Sequence, residues 1–174
     1  GSTGGTIAAT RDVLRFPNLR ICGHIAGGTH HAFFDRGGGF CVFNDIAVAA
    51  RVAMRDFPDI VRKVLVIDLD THQGDGTASI FADDEHVITF SMHGENNYPS
   101  EKMESDYDVG LPDGTGDEEY IAMLRSYIPR LLDEHCPDLV FYQAGVDSLE
   151  QDALGRLSMS RGGVSVRNKL IYRA

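Results

Sequence analysis

The sequence predicts an α/β fold in which a parallel β-sheet is flanked by helices. Apolar segments typical of strands alternate with helical segments along the chain, which favours parallel strands joined by helical connections. The run Val64-Leu65-Val66-Ile67 is apolar throughout and mostly β-branched, as expected of a strand buried on both faces. Because its 174 residues contain no internal repeat or linker, the chain is predicted to form one domain, residues 1–174.

The individual elements are assigned in chain order from apolar spacing and capping residues. Residues 1–19 have a loose helical spacing that stops before Pro17, and a strand is predicted from Leu19 to Ile25. A helix within residues 40–54 is predicted to begin near Asn44 or Asp45 as its N-cap. The later predictions are a short helix at 77–81, a strand at 87–91, a helix at 117–132, a strand at 139–142 and a helix from 160. Residues 94–116 are predicted to form one long loop, which in a compact domain is usually functional.

Composition and charge limit the classes of function. The formal net charge of −10 at pH 7 disfavours direct binding to nucleic acids and favours cationic partners such as lysine-rich peptides. No segment approaches the ~20 apolar residues of a membrane-spanning helix, and no targeting segment is recognisable. Cys22, Cys41 and Cys136 form no CxxC pair, as expected of thiols in a reducing compartment. We therefore expect an intracellular protein, cytoplasmic or nuclear, that does not bind membranes; the sequence leaves its oligomeric state open.

Polar side chains capable of catalysis follow three of the predicted strands. In an open α/β sheet, ligands bind at the carboxyl ends of the strands, so the loops that follow different strands converge there. These side chains are His30 and His31 after the first predicted strand, then Asp68, Asp70, His72 and Asp75, and finally Asp147.

Three of these side chains have the chemistry of a metal site. Asp70 and His72 are two residues apart, so in extended backbone they point to the same side. Together with Asp147 they offer one imidazole and two carboxylates, a plausible Zn²⁺ ligand set that leaves a position open for water. The alternative from the residues alone is that this acidic segment only caps and turns the chain.

The tandem histidines suit proton transfer beside such a metal. Zn²⁺ lowers the pKa of a bound water and polarises a carbonyl, and one histidine can accept the proton of the attacking water. A carboxylate bonded to the far nitrogen of each ring would fix its tautomer, and Asp68 and Asp75 are the acids available for this task.

Five motifs follow one another along the chain, namely Gly27-Gly28-Thr29-His30-His31-Ala32, Gly39-Phe40-Cys41-Val42-Phe43-Asn44-Asp45, Ile67-Asp68-Leu69-Asp70-Thr71-His72-Gln73-Gly74-Asp75-Gly76, Ser91-Met92-His93 and Tyr142-Gln143-Ala144-Gly145-Val146-Asp147-Ser148-Leu149. Together and in this order they resemble the zinc-dependent histone deacetylase family, on the arginase–deacetylase fold, and most of all its class IV branch and bacterial relatives. They extend over nearly the whole chain, and the resemblance implies metal-dependent hydrolysis of the amide bond of acyl-lysine, with a role in chromatin regulation among the possibilities.

The resemblance also implies a role for each candidate residue. The implied Zn²⁺ ligands are Asp70, His72 and Asp147. The implied acid/base groups are two oriented histidines, His30 with Asp68 and His31 with Asp75. We expect His31 to be the general base and His30 to act mainly as an electrostatic partner.

A substrate tunnel and a second cation are implied as well. The tunnel for the acyl-lysine side chain would be lined by Gly39, Phe40 and Tyr98. A monovalent cation, typically K⁺, would lie behind the zinc near Asp68, Asp70, His72, Ser91 and Met92. The implied substrate is an acyl-lysine protein or peptide, or an acetylated polyamine, and the acyl length is left open.

The sequence departs from the family at its ends. The family places an oxyanion-stabilising tyrosine in a Gly-Gly-Tyr loop, whereas this sequence reaches Ala174 before any such motif. The sequence also begins inside the family domain. We therefore expect a partial catalytic domain, with a sheet incomplete on its C-terminal side and low or no activity, because losing one oxyanion donor costs about 10²–10³ in rate.

Two alternative functions stay open at this point. The first is a non-catalytic relative that binds zinc or acyl-lysine without turnover. The second is an arginase-type di-manganese ureohydrolase, which would need further carboxylates that Gln73 and the single Asp147 do not supply. Metal stoichiometry distinguishes the second alternative from a deacetylase.

Overall fold

A four-stranded, fully parallel sheet forms the centre of the computed structural model, which describes all residues 1–174. The strand order is β3-β2-β1-β4, with β1 (Val64–Asp68), β2 (Val87–Gly94), β3 (Tyr107–Leu111) and β4 (Leu139–Gln143). The helices are α1 (Ser2–Arg15), α2 (Asp45–Asp56), α3 (Asp75–Phe81), α4 (Asp117–His135) and α5 (Arg161–Arg173). The predicted fold class is therefore confirmed.

Two hydrophobic cores cover the two faces of the sheet. Successive side chains of β1 alternate between them: Leu65 and Ile67 join the core with residues of α4 and α5, whereas Val64 and Val66 join the core with α2. Because each face of the strand meets a helix layer, both sets of positions must be apolar. This arrangement explains the continuous apolar run that the sequence shows.

The helix α2 begins where the sequence predicts. Asn44 is the N-cap, and its side chain oxygen accepts a hydrogen bond from the Ala47 amide at 2.9 Å. Ser160 caps α5 in the same way through the amide of Gly163. None of the five helices combines the length and the hydropathy needed to cross a membrane.

Two of the sequence-based assignments are wrong. The strand predicted from Leu19 to Ile25 does not form: its backbone pairs with neither edge strand, and Ile21 and Ile25 are exposed. Conversely, the long loop predicted at 94–116 contains β3. Its residues Val109 and Leu111 alternate with exposed positions, and this two-residue period lets an edge strand bury one face against the sheet.

Candidate active site

The loops after β1 and β4 meet because these neighbouring parallel strands end at the same level. Asp68 and Gln143, the last residues of the two strands, are paired in register. Beyond them, the amide of Thr71 donates a hydrogen bond to the Asp147 carboxylate at 3.0 Å. The structure thus joins two loops that are 76 residues apart in sequence.

Asp70, His72 and Asp147 form one cluster with the geometry of a metal site. One ligand atom from each lies within 4.8 Å of the others. The Nδ1 atom of His72 lies 2.8 Å from Asp147 Oδ2 and 3.0 Å from Asp70 Oδ1.

The charges in this cluster also fit a cation. Hydrogen bonds to Asp147 and Asp70 raise the pKa of His72 to about 10. The carboxylates therefore strongly stabilise a positive charge at the point where they meet the ring nitrogen. One imidazole and two carboxylates, converging in this way, are a donor set that suits Zn²⁺.

The tandem histidines are each bonded to a buried carboxylate. His30 Nδ1 lies 2.6 Å from Asp68 Oδ2, and His31 Nδ1 lies 2.6 Å from Asp75 Oδ1. The two rings are adjacent, with their centroids 4.1 Å apart. Because carboxylates accept at both Nδ1 atoms, each ring keeps Nε2 as its free nitrogen.

The two histidines differ in their connection to the metal-type cluster. His30 Nε2 lies 3.9 Å from Asp70 Oδ1. Burial opposes a charge on His30, but Asp68, with Asp70 and Asp147, outweighs burial and raises the pKa of His30 to about 9. The rings of His31 and His72 are 6.0 Å apart between centroids.

A pocket of about 670 Å³ opens onto these groups. Most of the sequence-predicted site residues line it, namely His30, His31, Gly39, Phe40, Asp70, His72 and Tyr98. The Tyr98 ring packs edge-on against His31 at 4.9 Å, while the Phe40 side chain is fully exposed at the rim. Sequence reasoning missed four further lining residues, Asn96, Asn97, Leu154 and Arg156, which come from loops without a metal-ligand pattern.

Gly39 is a lining position where a side chain would not fit. Its φ is +46°, and a Cβ atom there would lie 2.3 Å from the His31 ring. Glycine is therefore required both by the left-handed backbone and by the close approach to the histidine. This observation explains why a glycine-rich loop lies next to His31.

Two polar residues at the start of α2 support the loop that carries the histidines, and their roles there were missed. Asn44, predicted only as a helix cap, also donates from Nδ2 to the carbonyls of His30 and Ala32. The Asp45 carboxylate accepts hydrogen bonds from the amides of Gly28 and Thr29. The capping pattern in the sequence locates these residues but does not reveal their long-range partners.

The residues predicted to bind K⁺ are placed around the end of β1. Ser91 is paired with Asp68 in register on β2, and its hydroxyl is 2.9 Å from His93 Nδ1. The Met92 side chain belongs to the hydrophobic core. A K⁺ site at this point stays a prediction.

The fold and the cluster define a parallel α/β domain in which Asp70, His72 and Asp147 come together beside two adjacent, carboxylate-bonded histidines. Comparison with known proteins gives the same answer, since the family model described as "Histone deacetylase domain" matches residues 1–174. The chain belongs to the histone deacetylase family.

Similarity to individual proteins also supports membership of this family. An uncharacterized protein of Picosynechococcus is 46% identical over 170 residues, which are 98% of this chain and 55% of the relative. Histone deacetylase 2 of Arabidopsis thaliana is 35% identical over 153 residues, which are 86% of this chain and 39% of the relative. A crystal structure of an HDAC homolog complexed with SAHA has a TM-score of 0.87 and 28% identity, covering 99% of this chain and 48% of that one. The chain thus spans about half the length, or less, of these relatives.

Proposed function

We propose that this chain carries the metal ligands and the acid/base residues of a zinc-dependent deacylase that hydrolyses the amide bond of acyl-lysine. One observation carries the proposal: two adjacent histidines, each bonded to its own buried carboxylate at 2.6 Å, share a pocket with Asp70 and His72, which cluster with Asp147. General acid–base groups beside a metal set are what amide hydrolysis requires.

Asp70, His72 and Asp147 are the residues that would hold Zn²⁺. When bound there, the ion would supply Lewis-acid polarisation of the scissile carbonyl and increase the acidity of a water molecule. The amide of Thr71 supports this ligand set from the backbone, since it fixes the Asp147 carboxylate against the Asp70 loop.

His31 is the proposed general base. Asp75 accepts the Nδ1 hydrogen of His31, so Nε2 is free to take a proton from the attacking water and later return it to the leaving lysine amine. His30 is bonded to Asp68 and has a raised pKa, so a positive charge on it would stabilise negative charge that develops on the substrate. In this scheme the amide is replaced by a carboxylate and an amine.

The lining of the pocket supports an acyl-lysine substrate. Gly39 lets the backbone approach His31, while Tyr98 and Phe40 offer apolar surface on the way out of the pocket. Supporting this assignment, the related structure described above holds SAHA. The net charge of −10 favours association with lysine-rich peptides by electrostatic attraction, and acetylated polyamines are cationic substrates of the same kind.

The test measures conversion of an acetyl-lysine peptide into the free-lysine peptide and acetate, followed by mass spectrometry. Two proteins are compared: residues 1–174, and a chimaera in which residues 1–174 replace the matching segment of the Picosynechococcus protein. The proposal expects zinc-dependent turnover by the chimaera, competed by SAHA. A folded, zinc-loaded chimaera that does not hydrolyse acetylated or longer acylated lysine would contradict it.

A binding function without turnover is the second candidate. It is supported by the pocket lining, in which Tyr98 is the one tyrosine and packs against His31. On this alternative, the chimaera would bind an acetyl-lysine peptide without cleaving it. Calorimetric binding and turnover, measured on the same sample, distinguish the two functions.

A further inference from the structure

Arg167, in α5, is a fully buried arginine whose hydrogen-bond partners are all neutral. Its side chain is 0% exposed. Its Nη1 atom donates to the carbonyls of Leu69 and Gly145, at 3.1 and 2.8 Å, and to the hydroxyl of Ser148 at 3.2 Å. Its Nε atom donates to Asn168, and its Nη2 atom has no partner. Burying a positive charge without a carboxylate partner is costly, so the buried position of Arg167 needs a physical explanation.

The hydrogen-bond partners of Arg167 Nη1 lie on the two loops that carry Asp70 and Asp147. Leu69 directly precedes Asp70 on the loop after β1, and Gly145 lies two residues before Asp147 on the loop after β4. One nitrogen atom therefore bonds to both loops, and Arg167 does not line the pocket. From these contacts we infer that Arg167 is a positioning residue that sets the separation of the two loops bearing Asp70 and Asp147. The inference rests on the zinc site of the proposed function.

The sequence of α5 supports this reading. Val164, Leu170 and Ile171 are three and four residues from Arg167 and contact the hydrophobic core, so Arg167 lies on the apolar face of the helix. An aliphatic residue at this position would satisfy helix packing at lower cost. It would leave the carbonyl of Gly145 without the hydrogen bond that Arg167 supplies.

The competing explanation is that Arg167 only anchors α5 to the sheet. A residue that positions metal ligands should change metal affinity and ligand geometry, whereas an anchor should change stability alone. Removing a residue that supports the metal ligands from outside typically lowers metal affinity about 10- to 100-fold. The two explanations therefore differ in a quantity that does not depend on enzyme activity.

The test uses Arg167→Met, with Val164→Ala as the matched control. Val164 is buried in the same helix but belongs to the apolar core. Zn²⁺ affinity is measured by competition with a chromophoric chelator, ligand geometry from the visible absorption of bound Co²⁺, and stability by thermal unfolding. We expect Arg167→Met to lose about 10- to 100-fold in Zn²⁺ affinity and to alter the Co²⁺ spectrum. Val164→Ala should lower the melting temperature but keep the parental affinity and spectrum.

Parental affinity and spectrum in folded Arg167→Met would overturn the inference, as would an equal loss of affinity in Val164→Ala. If Arg167→Met does not fold, Asn168→Ala decides, because Asn168 Oδ1 accepts hydrogen bonds from Arg167 Nε at 3.1 Å and from the Tyr142 hydroxyl of β4 at 2.7 Å, but from neither loop. A smaller loss of affinity in Asn168→Ala supports the positioning role, and parental affinity overturns it. The parent chain is titrated first. If it binds no Zn²⁺, the metal site itself is wrong and the inference falls with it.

Discussion

Asn44→Ala should destabilise the protein more than the loss of a helix cap alone. Asn44 is 4% exposed, and its Oδ1 atom caps α2 through the amide of Ala47. Its Nδ2 group donates to the carbonyls of His30 and Ala32 and to Thr77 Oγ1, at 3.3, 3.2 and 2.9 Å. The same side chain thus begins a helix and holds the segment that carries the histidine pair.

The loss of unfolding free energy expected for Asn44→Ala is the sum of the contributions of these contacts. Loss of the cap costs about 1 kcal/mol. Loss of the two N–H donors costs about 1 kcal/mol each, since their acceptors are buried. The sum of about 3 kcal/mol corresponds to a fall of roughly 6–12 °C in melting temperature for a chain of this size.

Thermal unfolding followed by circular dichroism measures this fall, with Ser160→Ala as the control. Ser160 caps α5 from an exposed position, where its amide contact to Gly163 resembles that of Asn44 to Ala47. The control should lose about 1 kcal/mol from the cap and less than that from the exposed hydrogen bond of its hydroxyl to Asp117, so its melting temperature should fall less than that of Asn44→Ala. Equal losses in the two variants would refute the idea that Asn44 holds the histidine segment.

Three further predictions follow from the site. In the chimaera, His31→Ala should lower peptide turnover about 10²-fold or more, the usual scale for a general base, with parental turnover contradicting the assignment. Gly39→Ala should lower turnover and shift the His31 ring signals in an NMR spectrum, because its Cβ would lie 2.3 Å from that ring; unchanged signals would argue against the close approach. Burial alone would raise the pKa of Asp45, but hydrogen bonds from Thr6, Thr29 and Gly28 outweigh it and lower the pKa. Asp45 therefore stabilises the fold fully above its unfolded pKa of about 3.9 and loses this contribution as pH falls through the lower folded pKa. The free energy of unfolding, measured with urea between pH 2 and 7, should fall more steeply with falling pH in the parent than in Asp45→Asn. Parallel pH dependences in the two proteins would contradict this prediction.

The strand β1 and the loop after it show what the sequence predicts well. A strand buried on both faces must be apolar at every position, so its residues stand out from one-sided strands. Its carboxyl end is also where an α/β protein binds ligands, so Asp70 and His72 could be identified before their contacts were known. The polar residues after β1 and β4 meet because the fold class itself brings those loops together.

The two wrong assignments, the strand at 19–25 and the loop at 94–116, have a different origin. The composition of residues 19–25 favours a strand, but a strand also needs a neighbour to pair with, and this segment pairs with neither edge strand. The strand β3 is the converse case, because its alternating pattern is short and lies among glycines and prolines.

Arg167 was missed because a charged residue in a helix usually faces solvent. Its spacing from Val164 and Leu170 is the signal that could have revealed its burial. The identity of its partners, the carbonyls of Leu69 and Gly145, depends on long-range packing that a local pattern does not contain.

The zinc content of the parent and of Asp147→Ala tests the central claim most directly. Asp59→Ala, which removes an exposed carboxylate before β1, at the opposite end of that strand from the cluster, is the matched control. We expect one zinc ion per parent chain by elemental analysis after dialysis, the same content in Asp59→Ala, and loss of most of the zinc in Asp147→Ala with the circular dichroism spectrum preserved. Equal zinc content in Asp147→Ala and the parent would contradict it.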